Sequence, residues 1–383
     1  MTLTRFVTKN AFRNKRRSLL TLLSIGFSLL LLTVMMTIWR AFYMSEGTAE
    51  SAQRLIVRHK VSLGNFLPIS YREKIRSTPG VKQVVNETWF GGIYKDSKPE
   101  NFFAQFGTDP DELFKVMKDF SIPQDQLEAW QKDRAGCIVA SDLAEKHGWK
   151  IGDRIYLKGT IFPFDLDLTV RGIYTPVPGW SALYFNNTYI DEGYPRVKGL
   201  VGFYGVLADS PDAVPQVAKA IDAAFRNSDR PTKTESEKAF QLSWIAMLGN
   251  VKAFILSICA AVVFATLLVS ANTMAMSIRE RTREVALMKT LGFTRGTVLG
   301  LFVSESASLA AIAGLLGALA ASALIAAMAA SPMGGQFLQN VRITLPTMLI
   351  AVLVGAAVGL VSSFVPAYNA SRRNIVEGLR HIG

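Results

Sequence analysis

RERTREVALMKTLGFT, residues 279–294, is a short charged segment between two long apolar runs, and its placement decides how the rest of the chain is read. Seven charges fall within it or just past it: Arg279, Glu280, Arg281, Arg283, Glu284, Lys289 and Arg295. Each is costly near the centre of a bilayer, so the segment lies outside the hydrocarbon. Val285, Met288 and Gly292 recur at helical spacing with Leu287 and Leu291 alongside, and Glu280/Arg283 and Arg281/Glu284 are opposite charges three residues apart. This pattern predicts a short amphipathic helix. Gly292 suits a left-handed stop, and Thr294 can cap the helix that follows. Two readings are open for such a segment: a solvated connector that carries topogenic charge, or an element that docks onto something.

Moving outward, four runs are apolar and uncharged: Ser18 to Trp39, Ala253 to Ile278, Ala307 to Pro332 and Leu345 to Tyr368. Each exceeds the ~20 residues that cross a bilayer as helix. A chain of 383 residues that is 50% hydrophobic with a mean hydropathy of +0.24 is therefore expected to be a four-span membrane protein. The first run is too long for a cleavable leader and no small-residue cleavage site follows it, so it reads as an anchor. Between the first two runs, residues 40–252 alternate turn signals with strand-like and helix-like stretches, as a folded α+β domain does.

The charges orient this arrangement. Residues before the first span carry +6, the segment from Arg279 to Arg295 carries +3 and the tail after Tyr368 carries +2, together +11 of the formal +12. Residues 40–252 hold 27 basic and 26 acidic side chains. Lys and Arg concentrate on the cytoplasmic side, so both termini and the 279–294 segment are expected inside and the large domain outside. Positive-inside topology accounts for the basic pI without nucleic acid. Cys137 and Cys259 fall in different environments and the three histidines are far apart in sequence, which predicts neither a disulfide framework nor a metal site.

The expected order is an amphipathic cytoplasmic segment at 1–17, a first span at 18–44 with a stalk beyond, and an extracytoplasmic α+β domain of two lobes at 45–240. A stalk and second span at 241–278, a cytoplasmic helix at 279–294, a third span at 295–332, an outer loop at 333–344, a fourth span at 345–368 and a cytoplasmic tail at 369–383 complete it. Within the outer domain, strands are expected at Arg54–His59, Val81–Val85, Phe102–Phe106, Cys137–Ala140, Arg154–Leu157, Leu168–Tyr174 and Leu200–Leu207. Helices are expected after Ser70, Asp109, Ser141 and Ser210, the last burying Val214, Val217, Ile221 and Phe225. Thr234 to Val251 reads as a helical approach whose Phe240, Trp244 and Met247 suit an outer interface.

Two features stand out within the spans. Glu305 is a lone acid near the start of the third, a position that marks either function or a satisfied structural contact. Gly314 and Gly317 in the third span, among small residues, and the GxxxG pair Gly355 and Gly359 in the fourth predict close helix packing, within the chain or across a dimer. No GxxxxGK[ST] loop, GxSxG elbow, HExxH or kinase set is present, and no broken pair of half-helices suggests an ion-coupled transporter. Energy, where the protein needs it, is expected from a partner.

RERTREVALMKTLGFTRGTVLGLFVSES (279–306) resembles the loop between the second and third spans of a known family: the permease subunits of the ABC transporters that include the macrolide exporter, the lipoprotein-release complex and the cell-division permease. The resemblance extends to KNAFRNKRRSLLTLLSIGFS (9–28), TPGVKQV (78–84), VASDLAEKHGWKIGDRIYLKG (139–159) and VPAYNASRRNIVEGLR (365–380), so it covers nearly the whole chain in order. Each motif is weak alone; their succession is specific. Ser24, Ala286 and Asn374 depart from the residues usual at those positions. The resemblance implies a second permease, the same or related, and a cytoplasmic ABC ATPase dimer that holds ATP and Mg, with no catalytic residue, cofactor or metal in this chain. It also implies a coupling helix comprising Arg279, Glu280, Arg281, Arg283, Glu284, Val285, Met288, Lys289 and Gly292, in which Val285 and Met288 enter a groove on the ATPase while Arg281, Glu284 and Lys289 fix the register at its rim. ATP-driven motion of the spans would then act through the outer domain (mechanotransmission) on a lipoprotein, lipid, peptide or drug, with room for a periplasmic or outer-membrane partner, in a bacterial inner membrane. The competing reading from the residues is a membrane-anchored receptor or scaffold without an ATPase; a membrane-embedded enzyme ranks below both.

Overall fold

The computed structural model describes residues 15–44, 48–177, 180–247, 250–329 and 341–372. The expected features at 1–14, most of the 333–344 loop and the tail beyond Arg372 lie outside these residues, as do the side chains of Trp244 and Met247. The chain forms two units, one of residues 1–45 and 250–383 and one of residues 46–249.

Helix α1 (Lys15–Tyr43) leads into the second unit. That unit runs β1 (Arg54–His59), β2 (Leu67–Pro68), α2 (Tyr71–Arg76), β3 (Val81–Trp89), β4 (Ala104–Thr108), α3 (Leu113–Val116), α4 (Gln124–Lys132), β5 (Gly136–Ala140), α5 (Ser141–His147), β6 (Arg154–Leu157), β7 (Leu166–Tyr174), β8 (Ala182–Asn186), α6 (Thr188–Gly193), β9 (Leu200–Val201), β10 (Phe203–Ala208), α7 (Val214–Ala224), β11 (Thr232–Ser236) and α8 (Glu237–Met247). Nine strands make one sheet in the order β11-β1-β10-β3-β4-β8-β5-β7-β6, and β2 pairs with β9 apart from it. Only the β4–β8 and β5–β7 pairs are parallel.

Two cores sit against this sheet. Leu55 and Val57 of β1, Val84 of β3, and Tyr204 and Val206 of β10 pack with Val217, Ile221 and Phe225 at and beyond α7. That helix buries the face its apolar spacing predicts, and the Ser210 hydroxyl accepts the Ala213 N–H just before it. The other core gathers Cys137 to Ala140, Leu166, Leu168, Val170 and Leu183 to Phe185 around Trp130, Leu143 and Trp149.

β1 and β6 have the bounds expected from the sequence, whereas other elements shift. β3 runs on to Trp89, the Leu200–Leu207 run divides at Gly202 into β9 and β10, and the helix after Asp109 is confined to Leu113–Val116. A Cβ on Gly202 would lie 3.0 Å from the Glu87 carbonyl oxygen, so the break lets β3 approach closely. Thr234 to Ser236, expected to begin a helical approach, instead belong to the edge strand Thr232–Ser236 paired with β1, because its backbone completes the ladder beside Leu55 to His59.

The first unit continues with α9 (Val251–Glu280), α10 (Thr282–Thr290), α11 (Arg295–Ala329) and α12 (Leu345–Arg372). α1, α9, α11 and α12 are long and apolar enough to cross a membrane. Their packing rests on small residues. A Cβ on Gly317 would lie 2.5 Å from the Gly26 carbonyl oxygen of α1, and Cβ atoms on Gly314, Gly355 and Gly359 would lie 2.9, 2.6 and 2.7 Å from carbonyl oxygens of Ala351, Ala310 and Ser306. The backbones of α11, α12 and α1 therefore touch only because those side chains are absent, and these contacts lie within one chain.

Candidate functional site

The segment 279–294 is not one helix. Arg279 and Glu280 are the exposed last residues of α9, Arg281 closes that helix and α10 begins at Thr282. The turn is held locally: the Arg281 N–H reaches the Ile278 carbonyl at 3.1 Å and the Thr282 hydroxyl reaches the Arg279 carbonyl at 2.9 Å. At its far end α10 closes as its sequence predicts. Gly292 adopts φ +92°, its N–H bonds the Lys289 carbonyl and the Phe293 N–H bonds the Met288 carbonyl, the paired bonds of a left-handed helix stop. The Thr294 hydroxyl then accepts the Thr297 N–H at 3.2 Å and caps α11.

Which side of α10 faces outward differs from the expectation. Val285 is only 4% exposed and packs with Met274 and Ile278 of α9, Val298 and Phe302 of α11, and Ala367 and Ala370 of α12; Met288 is half-buried against the same cluster. These two residues, expected to enter a partner's groove, instead face inward and seat α10 against the ends of three spans of its own chain. Arg281, expected at the rim, also turns inward. It is buried, with Nη1 3.1 and 2.8 Å from the two Glu305 oxygens, Nε 2.9 Å from Glu284, and its guanidinium 5.1 Å from the Phe302 ring. Burial alone would lower the pKa of Arg281, but Glu305 and Glu284 reverse this and hold it above the ordinary value. The lone acid of the third span is accordingly one half of an ion pair.

The outward face of α10 carries Arg283, Leu287 at 49% exposure and Thr290, followed by Leu291 at 77% and Phe293 at 41%. Arg279 and Arg295 are exposed beside it in the sequence, and Lys289 is half-buried. Of the expected coupling residues, the fold thus sends Val285, Met288 and Arg281 inward and leaves Arg279, Glu280, Arg283 and Gly292 exposed. The exposed Leu287, Leu291 and Phe293 were not singled out by spacing, because α10 has apolar residues on two sides. Glu305 held the missing signal: a buried acid needs a cation, Arg281 is near enough in the chain, and with Arg281 inward Val285, one turn on, is inward too and Leu287, two residues past it, is on the other side. Among the described residues no group of three or more His, Cys, Asp or Glu could hold a metal ion.

Two family models match. The one described as FtsX-like permease C-terminal matches residues 253–375, and the one described as MacB-like periplasmic core domain matches residues 18–224, more than half of the chain. The chain belongs to the MacB/FtsX-type ABC transporter permeases. An uncharacterized ABC transporter permease of Methanocaldococcus jannaschii is 24% identical over 98% of this chain and 96% of its own length. The uncharacterized ABC transporter permease YknZ of Bacillus subtilis is 30% identical over 65% of this chain and 62% of its own. The macrolide export ATP-binding/permease protein MacB of Nitrobacter winogradskyi is 37% identical over 28% of this chain, and this chain spans 16% of that protein. A permease of this type is a membrane protein with an extracytoplasmic domain, here the unit between α1 and α9.

Proposed function

We propose that this permease is driven by a separate ATPase that docks on the outward face of α10, and that the resulting motion of the spans works the extracytoplasmic unit on its substrate. The observation that carries the reading is α10 itself. It is a nine-residue helix seated by Val285 across the ends of α9, α11 and α12, with Leu287, Leu291 and Phe293 exposed among cations. A solvated connector has no reason to bury one side against three spans and to present large apolar side chains on the other. In a partner's groove Leu287 and Leu291, four apart, serve as anchors, while Arg279, Arg283 and Arg295 meet acidic groups at its edge; buried apolar anchors carry most of such an interface's energy and rim charges set rate and register.

On this reading ATP and Mg reside in the partner, the 279–294 segment and both termini face the cytoplasm, and two permeases share an ATPase pair. The substrate is a molecule handled at the outer face, such as a lipoprotein, lipid, peptide or drug. The presence of ATP-binding and permease functions in one MacB protein supports the pairing of these two activities.

The test is to purify the chain with its ATPase in a mild detergent. Leu287→Asp with Leu291→Asp is expected to reduce ATPase association at least tenfold while expression and the melting temperature stay near those of the parent, because both side chains already face solvent. Val285→Asp is expected to lower the melting temperature, since it puts a charge inside the chain's own core. Full ATPase association by the Leu287/Leu291 variant would refute docking at this face.

A further inference from the structure

A docked helix can pass force into a bundle through apolar contacts or through fixed charge pairs, and the two behave differently. Apolar burial is non-directional, so the packing of Val285 and Met288 with Phe302 and Val298 sets which face of α10 is inward without a directional tie to α11. A charge pair in water-poor surroundings resists separation, because parting it leaves a carboxylate unpaired where burial is costly. Such a link joins the start of α10 to α11: Arg281 holds Glu305, about three turns into α11. Glu284 on α10 grips the same guanidinium at 2.9 Å, so α10, Arg281 and Glu305 form one connected chain of contacts.

What lies next to Glu305 extends the link. The neighbouring Ser306 carbonyl and Ala307 Cα stand 2.7 and 2.8 Å from where a Gly359 Cβ would be, so α11 and α12 meet backbone to backbone at that level. Farther along α11, Gly317 meets the Gly26 and Leu29 backbone of α1, the helix whose chain continues into the extracytoplasmic unit. None of these contacts contains a flexible side chain that could absorb a displacement.

We propose that Arg281 and Glu305 are positioning residues that make α10 and α11 move as one body, so that a push on α10 reaches α1 and α12 instead of being lost by slippage. The proposal rests on docking of an ATPase at α10, and it concerns what happens after docking. It separates binding from coupling: with the pair lost, the Val285 cluster still seats α10 with Leu287 and Leu291 outward, while the transmission is removed.

The experiment uses the permease–ATPase complex in lipid nanodiscs, with Cys259→Ser and a fluorophore at Lys150→Cys in the extracytoplasmic unit. Association, kcat and KM for ATP, and the ATP-dependent fluorescence change are read together. Arg281→Gln and Glu305→Gln are each expected to keep association within about twofold and KM unchanged, while kcat falls at least tenfold and the fluorescence change disappears. Arg281→Lys keeps the charge and fold but holds Glu305 through a smaller head, and about a threefold loss of kcat is expected. The reversed pair, Arg281→Glu with Glu305→Arg, made together with Glu284→Gln so that no two carboxylates meet, is expected to recover at least half of both signals, which a general loss of packing cannot do. Unchanged kcat and fluorescence in Glu305→Gln, a reversed pair no better than the single variants, or loss of association in Glu305→Gln would each overturn the proposal. Persistence of association in the Leu287/Leu291 variant sinks the docking reading instead, so the two failures are distinguishable.

Discussion

Among the described residues two arginines are buried, one in each unit, and they are held differently. Arg54, on the first strand of the extracytoplasmic unit, bonds Asp119 at 2.6 Å through Nη1 and Glu237 through Nε; both carboxylates are buried. Arg281 bonds a buried carboxylate, Glu305, and one that is 33% exposed, Glu284. Beside Arg54 stands a third acid, Glu87, fully buried, with neither oxygen hydrogen-bonded. The outer cluster thus has more acid than base, and burial together with Glu237 pushes Glu87 up to about 8. A proton held on Glu87 leaves one arginine facing two carboxylates instead of three. The cluster at Arg281 balances charge by leaving one carboxylate in reach of water, and that open side lies on α10, where a partner is proposed to arrive. A closed ion cluster fixes a structure, whereas one with a solvated member can sit at a working surface.

The largest effect is expected from breaking the closed cluster. Arg54→Met removes the cation from between Asp119 and Glu237 and leaves two buried carboxylates uncompensated, a loss of about 3–5 kcal/mol of stability. Glu237 begins α8, the last helix before α9, and Arg54 opens β1, so the damage falls where the chain enters and leaves the unit. Denaturant unfolding of the whole protein at pH 8, followed by the near-UV tryptophan signal, measures it. A loss under about 1 kcal/mol would show that the cluster is not ionised, and the contrast between the two arginines would lapse.

A second variant sharpens the contrast through pH. Glu87 has its folded pKa raised from the ordinary 4.5 to about 8. Between those values the folded chain keeps the proton and the unfolded chain releases it, so stability falls as pH rises through that window and levels off above it. The slope is at most about 1.4 kcal/mol per pH unit for one group. Glu87→Gln, which cannot ionise, is expected to flatten the stability profile between pH 5 and 8 and to be more stable than the parent at pH 8.5, by about 2–3 kcal/mol once water penetration has eased the burial cost. An unchanged slope would assign the titration elsewhere.

The same contrast shows what the sequence could reveal. The four spans are visible as apolar runs, and β1 and β6 are visible as short alternating or β-branched stretches, because burial by lipid or by one sheet face prints a local pattern. The stop at Gly292 and the cap at Thr294 are equally local, each needing only its own turn. β8, ALYFN, was missed because it is buried on both faces between β4 and β5 and carries no alternation. β11, TKTES, was missed because it is polar and becomes a strand only through its pairing with β1. The side of α10 that faces inward was misjudged because helical spacing ranks Val285/Met288 and Leu287/Leu291 alike. The sequence signal that tells them apart is Glu305, which lies 24 residues from its partner Arg281 in the chain.

The smallest effect is expected at the open member of the second cluster. Glu284 lies in the first turn of α10, three residues after Arg281, is one-third exposed, and its bond to Nε competes with water. Exposed pairs of this spacing stabilise by roughly 0.3–0.5 kcal/mol, and Arg281 keeps its Glu305 partner when Glu284 is neutral. Glu284→Gln is therefore expected to shift the melting temperature by about a degree or less, and the difference from the parent should vanish at 0.5 M salt, where exposed charges are screened over a few ångström. Glu305→Gln at the same salt is expected to keep its full effect on coupling, because the buried half of the cluster is not screened. Salt dependence thus separates the two carboxylates on one arginine. If Glu284→Gln lowered stability by several kcal/mol, or if salt erased the Glu305 effect as well, the solvated side of this cluster would be closed like that of Arg54, and the distinction between a fixed cluster and a working one would not hold.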